Sequence, residues 1–122
     1  MSVSDDELAE RLEERLMSHG VYVVDYTESE GALHVAYETA TKGEGVAKSE
    51  IGRLLNVLLD AREDGWEPRD VNAWVYDIED GPVSDRDPKG RWEAREGWLY
   101  ALEEGYLSET DFSTLVLSTV RT

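Results

Sequence analysis

Leu8, Leu12 and Leu16 recur every four residues behind Ser4, with Glu7 three residues after that serine. The spacing predicts one apolar helix face, the Ser–Glu pair a capping box at its start, and Gly20 its stop. From Val21 the period changes to two. Val21 to Glu28 and Ala32 to Thr39 are rich in β-branched and aromatic residues and flank Ser29-Glu30-Gly31, which predicts a hairpin. Thr41 to Gly45 reads as a loop, and a second helix is expected from about Val46 to Asp64. Ile51, Leu54, Leu55, Leu58 and Leu59 form its stripe and Gly65 ends it.

A third strand is predicted from Val71 to Glu79, after Pro68, followed by a polar loop from Asp80 to Lys89 carrying Gly81, Pro82 and Pro88. Arg91 to Arg95 alternates as a short strand returning along the third, and equally fits the first turn of a helix. A helix is expected from Glu96 to Glu104, closed by Gly105. Ser108 with Asp111 caps a last helix carrying Phe112, Leu115, Val116, Thr119 and Val120, although the β-branched content of that tail also fits a strand. The order α-β-β-α-β-(β)-α-α predicts an α+β two-layer domain spanning residues 1–122, with a mostly antiparallel sheet of three to four strands.

Strict alternation then sorts the strands into two faces. One collects Val21, Val23, Leu33, Val35, Val71, Ala73 and Val75, suited to packing beneath the helices that carry Leu12 and Leu55. The other collects Tyr22, Val24, Tyr26, His34, Trp74, Tyr76 and Ile78, and a face that aromatic is seldom left bare to water. Two readings remain open. The C-terminal helices cover it with Trp98, Leu102, Phe112 and Leu115, or it receives a partner.

Composition changes the picture by naming a solvent. Twenty-eight acids against twelve Lys and Arg give a net charge of −16, and only Lys42, Lys48 and Lys89 are lysines. Charge at that density repels itself until salt shortens the screening length, from about 10 Å at 0.1 M to about 3 Å at 1 M. The expected setting is a salt-rich, potassium-rich cytoplasm. Forty per cent hydrophobic residues, with four Trp and six Tyr, exclude a disordered chain. No cysteine is present, so disulfides and thiolate metal sites are excluded. The acidic start predicts no signal peptide, and Leu54 to Leu59 is too short to span a bilayer.

The segments Trp98-Leu99-Tyr100-Ala101-Leu102 and Gly105-Tyr106-Leu107-Ser108-Glu109, with Phe112 and Val116-Leu117-Ser118-Thr119, carry a family likeness. Arg15 to Val23 and the Gly43-Glu44-Gly45-Val46 loop are of the same kind. The chain resembles small uncharacterised haloarchaeal acidic proteins, which have no established activity. The resemblance implies one compact halophilic domain with a C-terminal helix, and it carries over no functional residue.

No Gly-x-Ser-x-Gly, Walker-type or dinucleotide motif occurs, and nothing calls for a cofactor. Asp85-x-Asp87-x-Lys89-Gly90 followed by Glu96 matches part of an EF-hand loop. Lys89 stands where an acid or amide belongs, so a solvated acidic loop and no metal is expected. His19 is read as a helix-end cation and His34 as a packed or surface imidazole. Gly43 and Gly45 read as a flexible turn rather than an anion cradle. Nucleic acid and anionic membranes are disfavoured, because Arg69, Arg86, Lys89, Arg91 and Arg95 are interleaved with acids and salt erodes phosphate contacts. The expected role is a protein-interaction or self-associating module anchored by Tyr22, Tyr26, His34, Trp74, Tyr76, Trp92 and Trp98. The alternative is a ligand binder or enzyme with a pocket between sheet and C-terminal helices, using His34 with Tyr22 or Tyr76.

Overall fold

A computed structural model describes residues 3–41, 43, 45–78, 82 and 85–122. Its elements run α1 (Asp5–Met17), β1 (Val21–Ser29), β2 (Ala32–Thr39), α2 (Lys48–Glu63), β3 (Asp70–Asp77), β4 (Gly90–Ala94), α3 (Glu96–Glu103) and α4 (Glu109–Ser118). The predicted α+β order holds, including the short fourth strand and the helical reading of the tail. Glu79, the expected end of the third strand, lies outside the described residues, as do Asp80 and Gly81 of the loop and Glu44 of the earlier one.

The helix signals act as their chemistry requires. Ser4 Oγ accepts the Glu7 N–H at 3.1 Å and Ser108 Oγ accepts the Asp111 N–H at 3.0 Å, each satisfying one orphan donor of a first turn. α2 lacks such a cap, because Ala47 occupies its N-cap, and it starts two residues later than the spacing suggests. The β1–β2 hairpin closes over Glu30 (φ 53°) and Gly31 (φ 79°). Both are left-handed, as the favoured two-residue hairpin turn demands.

The sheet order is β1-β2-β3-β4. β1–β2 and β3–β4 are antiparallel, whereas β2–β3 is parallel because α2 returns the chain to the end where β2 began. The register sets four inward rows across the sheet: Glu28–Leu33–Val71–Ala94, Tyr26–Val35–Ala73–Trp92, Val23–Tyr37–Val75–Gly90 and Val21–Thr39–Asp77. Against them pack Leu8, Leu12 and Leu16 of α1, the α2 stripe, Leu99 of α3, and Phe112 and Val116 of α4, all in one core. Four helices therefore share one face of the sheet, and the C-terminal pair does not cross to the other.

Three aromatic residues anchor this core. Trp66 and Trp92 are almost wholly buried, and the Trp92 indole N–H donates to the Tyr37 hydroxyl at 3.0 Å. The Trp66 indole N–H reaches Asp5 Oδ1 at 3.1 Å, while Arg69 donates to the other oxygen of Asp5, tying the start of α1 to the approach to β3. Burial raises the Tyr37 hydroxyl well above its ordinary pKa, against the opposing bond from Trp92.

Candidate interaction surface

Among the described residues the strands leave one face without helices, and its geometry follows from a single irregularity. Between Val23 and Asp25 the β1 register slips, so Val24 is a bulge with no partner on β2. Strict alternation from Val21 and Val23 would have turned Asp25 into the core. The bulge sends Asp25 outward and brings Tyr26 inward opposite Val35. Tyr26 is thus removed from the aromatic face to which alternation assigned it. Its hydroxyl is buried with no hydrogen-bond partner among the described residues, and burial, with Asp5 and Glu28 close by, raises its pKa strongly.

Four outward rows remain: Ser29–Ala32–Asp70, Thr27–His34–Asn72–Glu93, Asp25–Ala36–Trp74–Arg91 and Tyr22–Glu38–Tyr76. Trp74 and Tyr76 are half-buried by their neighbours alone, and Tyr22 is 40% exposed. Arg91 stacks over the Trp74 ring at 5.5 Å and Arg86 over the Tyr76 ring at 5.6 Å. Planar guanidinium groups stack on aromatic faces where an ammonium is held by its own hydration. The scarcity of lysine thus fits a sheet roofed by arginine.

One end of this face is clasped. Arg86 donates to Glu38 Oε2 at 2.8 Å and to the Asp77 carbonyl at 2.9 Å, holding its side chain against the Tyr22–Glu38–Tyr76 row. Lys89 Nζ donates to Asp77 Oδ1 at 2.9 Å and to the Gly43 carbonyl at 2.8 Å, joining two loops. Asp85 and Asp87 are exposed, and β4 separates them from Glu96 by about 16 Å at 3.3 Å per residue. The EF-hand-like spacing is therefore laid out along a strand instead of closing around one point.

The seven residues singled out in the sequence divide. Tyr22, His34, Trp74 and Tyr76 share the open face. Trp92 lies in the core, 2% exposed, and Trp98 packs against the same core from α3 beneath Arg95, so neither anchors this surface. Trp92 departs from expectation because β4 alternates with its tryptophan inward and Arg91 outward. His34 sits one row from Trp74 and two rows from Tyr22 and Tyr76, with Thr27 and Asn72 as its neighbours, so the imagined His–Tyr grouping does not form. Asp25, Ala36 and Arg91 escaped the sequence reading. The charge that strict alternation would have buried at Asp25 was the available signal for the bulge. His19 stands just beyond the Ser18 C-cap of α1, with its Nε2 3.1 Å from Arg53 Nη1.

The sheet's two edges are closed differently. Arg91 and Arg121 exchange two backbone bonds of 2.9 Å, and the Glu93 N–H donates to Thr119 Oγ1, so the C-terminal tail covers β4. β1 remains an edge, interrupted by the bulge and carrying Asp25 and Glu28, which discourages strand addition. A family model fits residues 3–122. The chain belongs to the family described as Domain of unknown function (DUF8159). No curated protein and no solved structure matches it.

The surface of this DUF8159 chain also carries concavities. One of about 520 Å³ opens among Leu59, Leu99, Leu102 and Leu107, between α2 and the C-terminal helices, with Arg62 and Glu103 on its rim. Another of about 130 Å³ lies beside Trp74, bounded by Asn72, Arg91, Glu93 and Arg121. Among the described residues no group of three acids or histidines is placed to hold a metal ion, and no helix is long and apolar enough to cross a membrane.

Proposed function

We propose that this domain is an interaction module that docks a protein partner through the open sheet face, in concentrated salt. One observation carries the reading: among the described residues, Trp74, Tyr76 and Tyr22 lie on a face to which no helix contributes. Tryptophan, tyrosine and arginine are the residues that dominate interface energetics, and here they are interleaved within two rows. The net charge of −16 supports the salt-rich setting, because charge at that density repels itself until salt shortens the screening length.

Trp92 supplies the internal control. Trp92→Ala empties a core site and is expected to cost about 3–5 kcal/mol of stability. Trp74→Ala removes a half-exposed ring and is expected to cost less than about 1.5 kcal/mol. In extracts held at high KCl, immobilised wild-type chain should retain a partner that the Trp74→Ala chain releases. Equal losses of stability for the two variants, with capture unchanged, would refute the docking role of this face.

The 520 Å³ concavity favours a second reading, a binder of a small apolar ligand. It falls in the size range of ligand sites but brings together four leucines and no nucleophile–base pair. Quenching or shift of Trp98 fluorescence by an aliphatic probe, lost in Leu102→Glu, would favour it.

A further inference from the structure

We infer that the occupant of the open face is a second copy of this chain, packed about a twofold axis parallel to the strands. The inference rests on the docking role proposed above and names the partner. Its basis is the central outward row, Asp25–Ala36–Trp74–Arg91. This row reads acid, small, large, base from one side of the sheet to the other.

A twofold axis between β2 and β3, lying between two facing sheets, reverses that order. β1 of each copy then faces β4 of the other. Asp25 meets Arg91 of the second copy, and Trp74 meets Ala36 of the second copy. Large side chains thus enter the shallow positions and opposite charges meet at both flanks. Isologous contacts require this self-complementarity. The adjacent row repeats it in milder form, setting His34 against Asn72 and Thr27 against Glu93.

The charge pattern supports the pairing independently. Most cations of the chain are already neutralised: Arg11 by Asp64, Arg15 by Asp60, Arg62 by Glu103, Arg69 by Asp5, Arg86 by Glu38, Lys89 by Asp77 and Arg95 by Glu93. Among the described residues Arg91, like Lys48, Arg53 and Arg121, has no ion-pair partner although acids outnumber bases by 28 to 12. Asp25 likewise bonds only the next backbone N–H, at 3.0 Å. These two groups stand at opposite ends of one row, too far apart to meet within a chain. A twofold pairs each with the other.

The alternative axis, perpendicular to the strands, sets Trp74 on Trp74 and Arg91 near Arg91 and leaves Asp25 without a base. The parallel axis also places sheets in the aligned arrangement that twisted sheets adopt, about 10 Å apart. Four strands at about 4.8 Å and eight residues at about 3.3 Å give a face of about 500 Å² per copy. The total of about 1,000 Å² sits at the lower bound for a specific interface, so the dimer is concentration-dependent. Salt favours it, because two bodies of −16 repel until the screening length is short.

Sedimentation equilibrium in about 2 M KCl tests this arrangement, with circular dichroism confirming that each variant folds. The wild-type chain is expected to dimerise. Trp74→Ala should weaken the dimer about 30-fold, the equivalent of a hot-spot side chain. Asp25→Arg and Arg91→Asp should each weaken it tenfold or more, and the double variant should regain most of the wild-type affinity. A chain that stays monomeric to about 1 mM overturns the second-copy assignment while leaving the docking role to the capture experiment. A dimer indifferent to Trp74→Ala overturns both. A dimer lost with Trp74→Ala but not rescued by the double charge exchange overturns the twofold register alone, and with it this inference.

Discussion

Two tyrosines on the helix-covered face of the sheet should respond in opposite directions to the loss of one oxygen atom. The Tyr37 hydroxyl accepts the Trp92 indole N–H at 3.0 Å in a site where both rings are buried. Tyr37→Phe leaves that N–H without a partner and without water. The expected cost is about 1–3 kcal/mol, the desolvation penalty of an orphaned donor. Tyr26 lies three strands from Trp92 in the same inward row, next to the row of Tyr37, and its buried hydroxyl has no partner among the described residues. Tyr26→Phe removes a polar atom that folding has stripped of water for no return. It is expected to leave stability unchanged or raise it by about 1 kcal/mol. Urea unfolding in constant high KCl, followed by far-ultraviolet circular dichroism, measures both variants on one scale. Equal destabilisation by the two substitutions would refute the reasoning, because it would mean that the inward turn of Tyr26 at the bulge is wrong or that its hydroxyl is satisfied.

Three further outcomes follow from the same coordinates. Gly90→Ala should destabilise by about 1–3 kcal/mol, because a Cβ there would stand 2.5 Å from Val46 Cγ2 and 3.1 Å from the Arg121 carbonyl. Urea midpoints check this, and Val46→Ala in the same chain should recover part of the loss. Thermal midpoints should rise markedly between 0.1 and 1 M KCl as the −16 charge is screened, and a flat response would remove the case for a saline solvent. Stability should fall once pH exceeds about 10, the ordinary tyrosine value. Burial raises Tyr37 and Tyr26, so above that pH the unfolded chain releases protons that the folded chain keeps. Each such residue then removes about 1.4 kcal/mol per pH unit. Tyrosinate absorbance should therefore show some of the six tyrosines titrating only as the chain unfolds.

Local signals carried most of the fold. Leucine spacing, the Ser4 and Ser108 caps and the glycine stops act within one or two turns, so the sequence displays them directly. The parallel pairing of β2 with β3 was not legible. It depends on the path of α2 across the sheet, and no residue of either strand encodes that path alone. The bulge at Val24 was half-legible. An acid at position 25 conflicts with simple alternation, but choosing a bulge over an outward-flipped strand needs the partner register. The open face was read correctly at Tyr22, His34, Trp74 and Tyr76, where alternation is unbroken. It was misread at Tyr26, where a register slip decides, and Trp92, expected as a further anchor, lies in the core through the phase of a five-residue strand. The 520 Å³ concavity had no sequence signature, because it arises where three separate elements meet.

The arrangement of arginine links the composition to the proposed surface. An open sheet face needs something to keep it from collapsing onto any apolar neighbour, and charged side chains on the outward rows do this in most sheets. Here the acids are too hydrated to lie over rings, and the chain has only three lysines. Arginine over Trp74 and Tyr76 fills that role, hydrating the outer side of the face while its planar group rests on the rings. Such a roof is adhesive as well as protective. A stacked guanidinium has already given up part of its hydration and keeps its edge donors, so an approaching carboxylate meets a cation that is partly desolvated and held in place. Salt weakens exposed ion pairs far more than ring stacking, and in the saline solvent proposed here the stacked pair is the contact that persists. The self-complementary row of Asp25, Ala36, Trp74 and Arg91 combines the two: stacking sets the affinity, and the acid and base at its ends set the orientation.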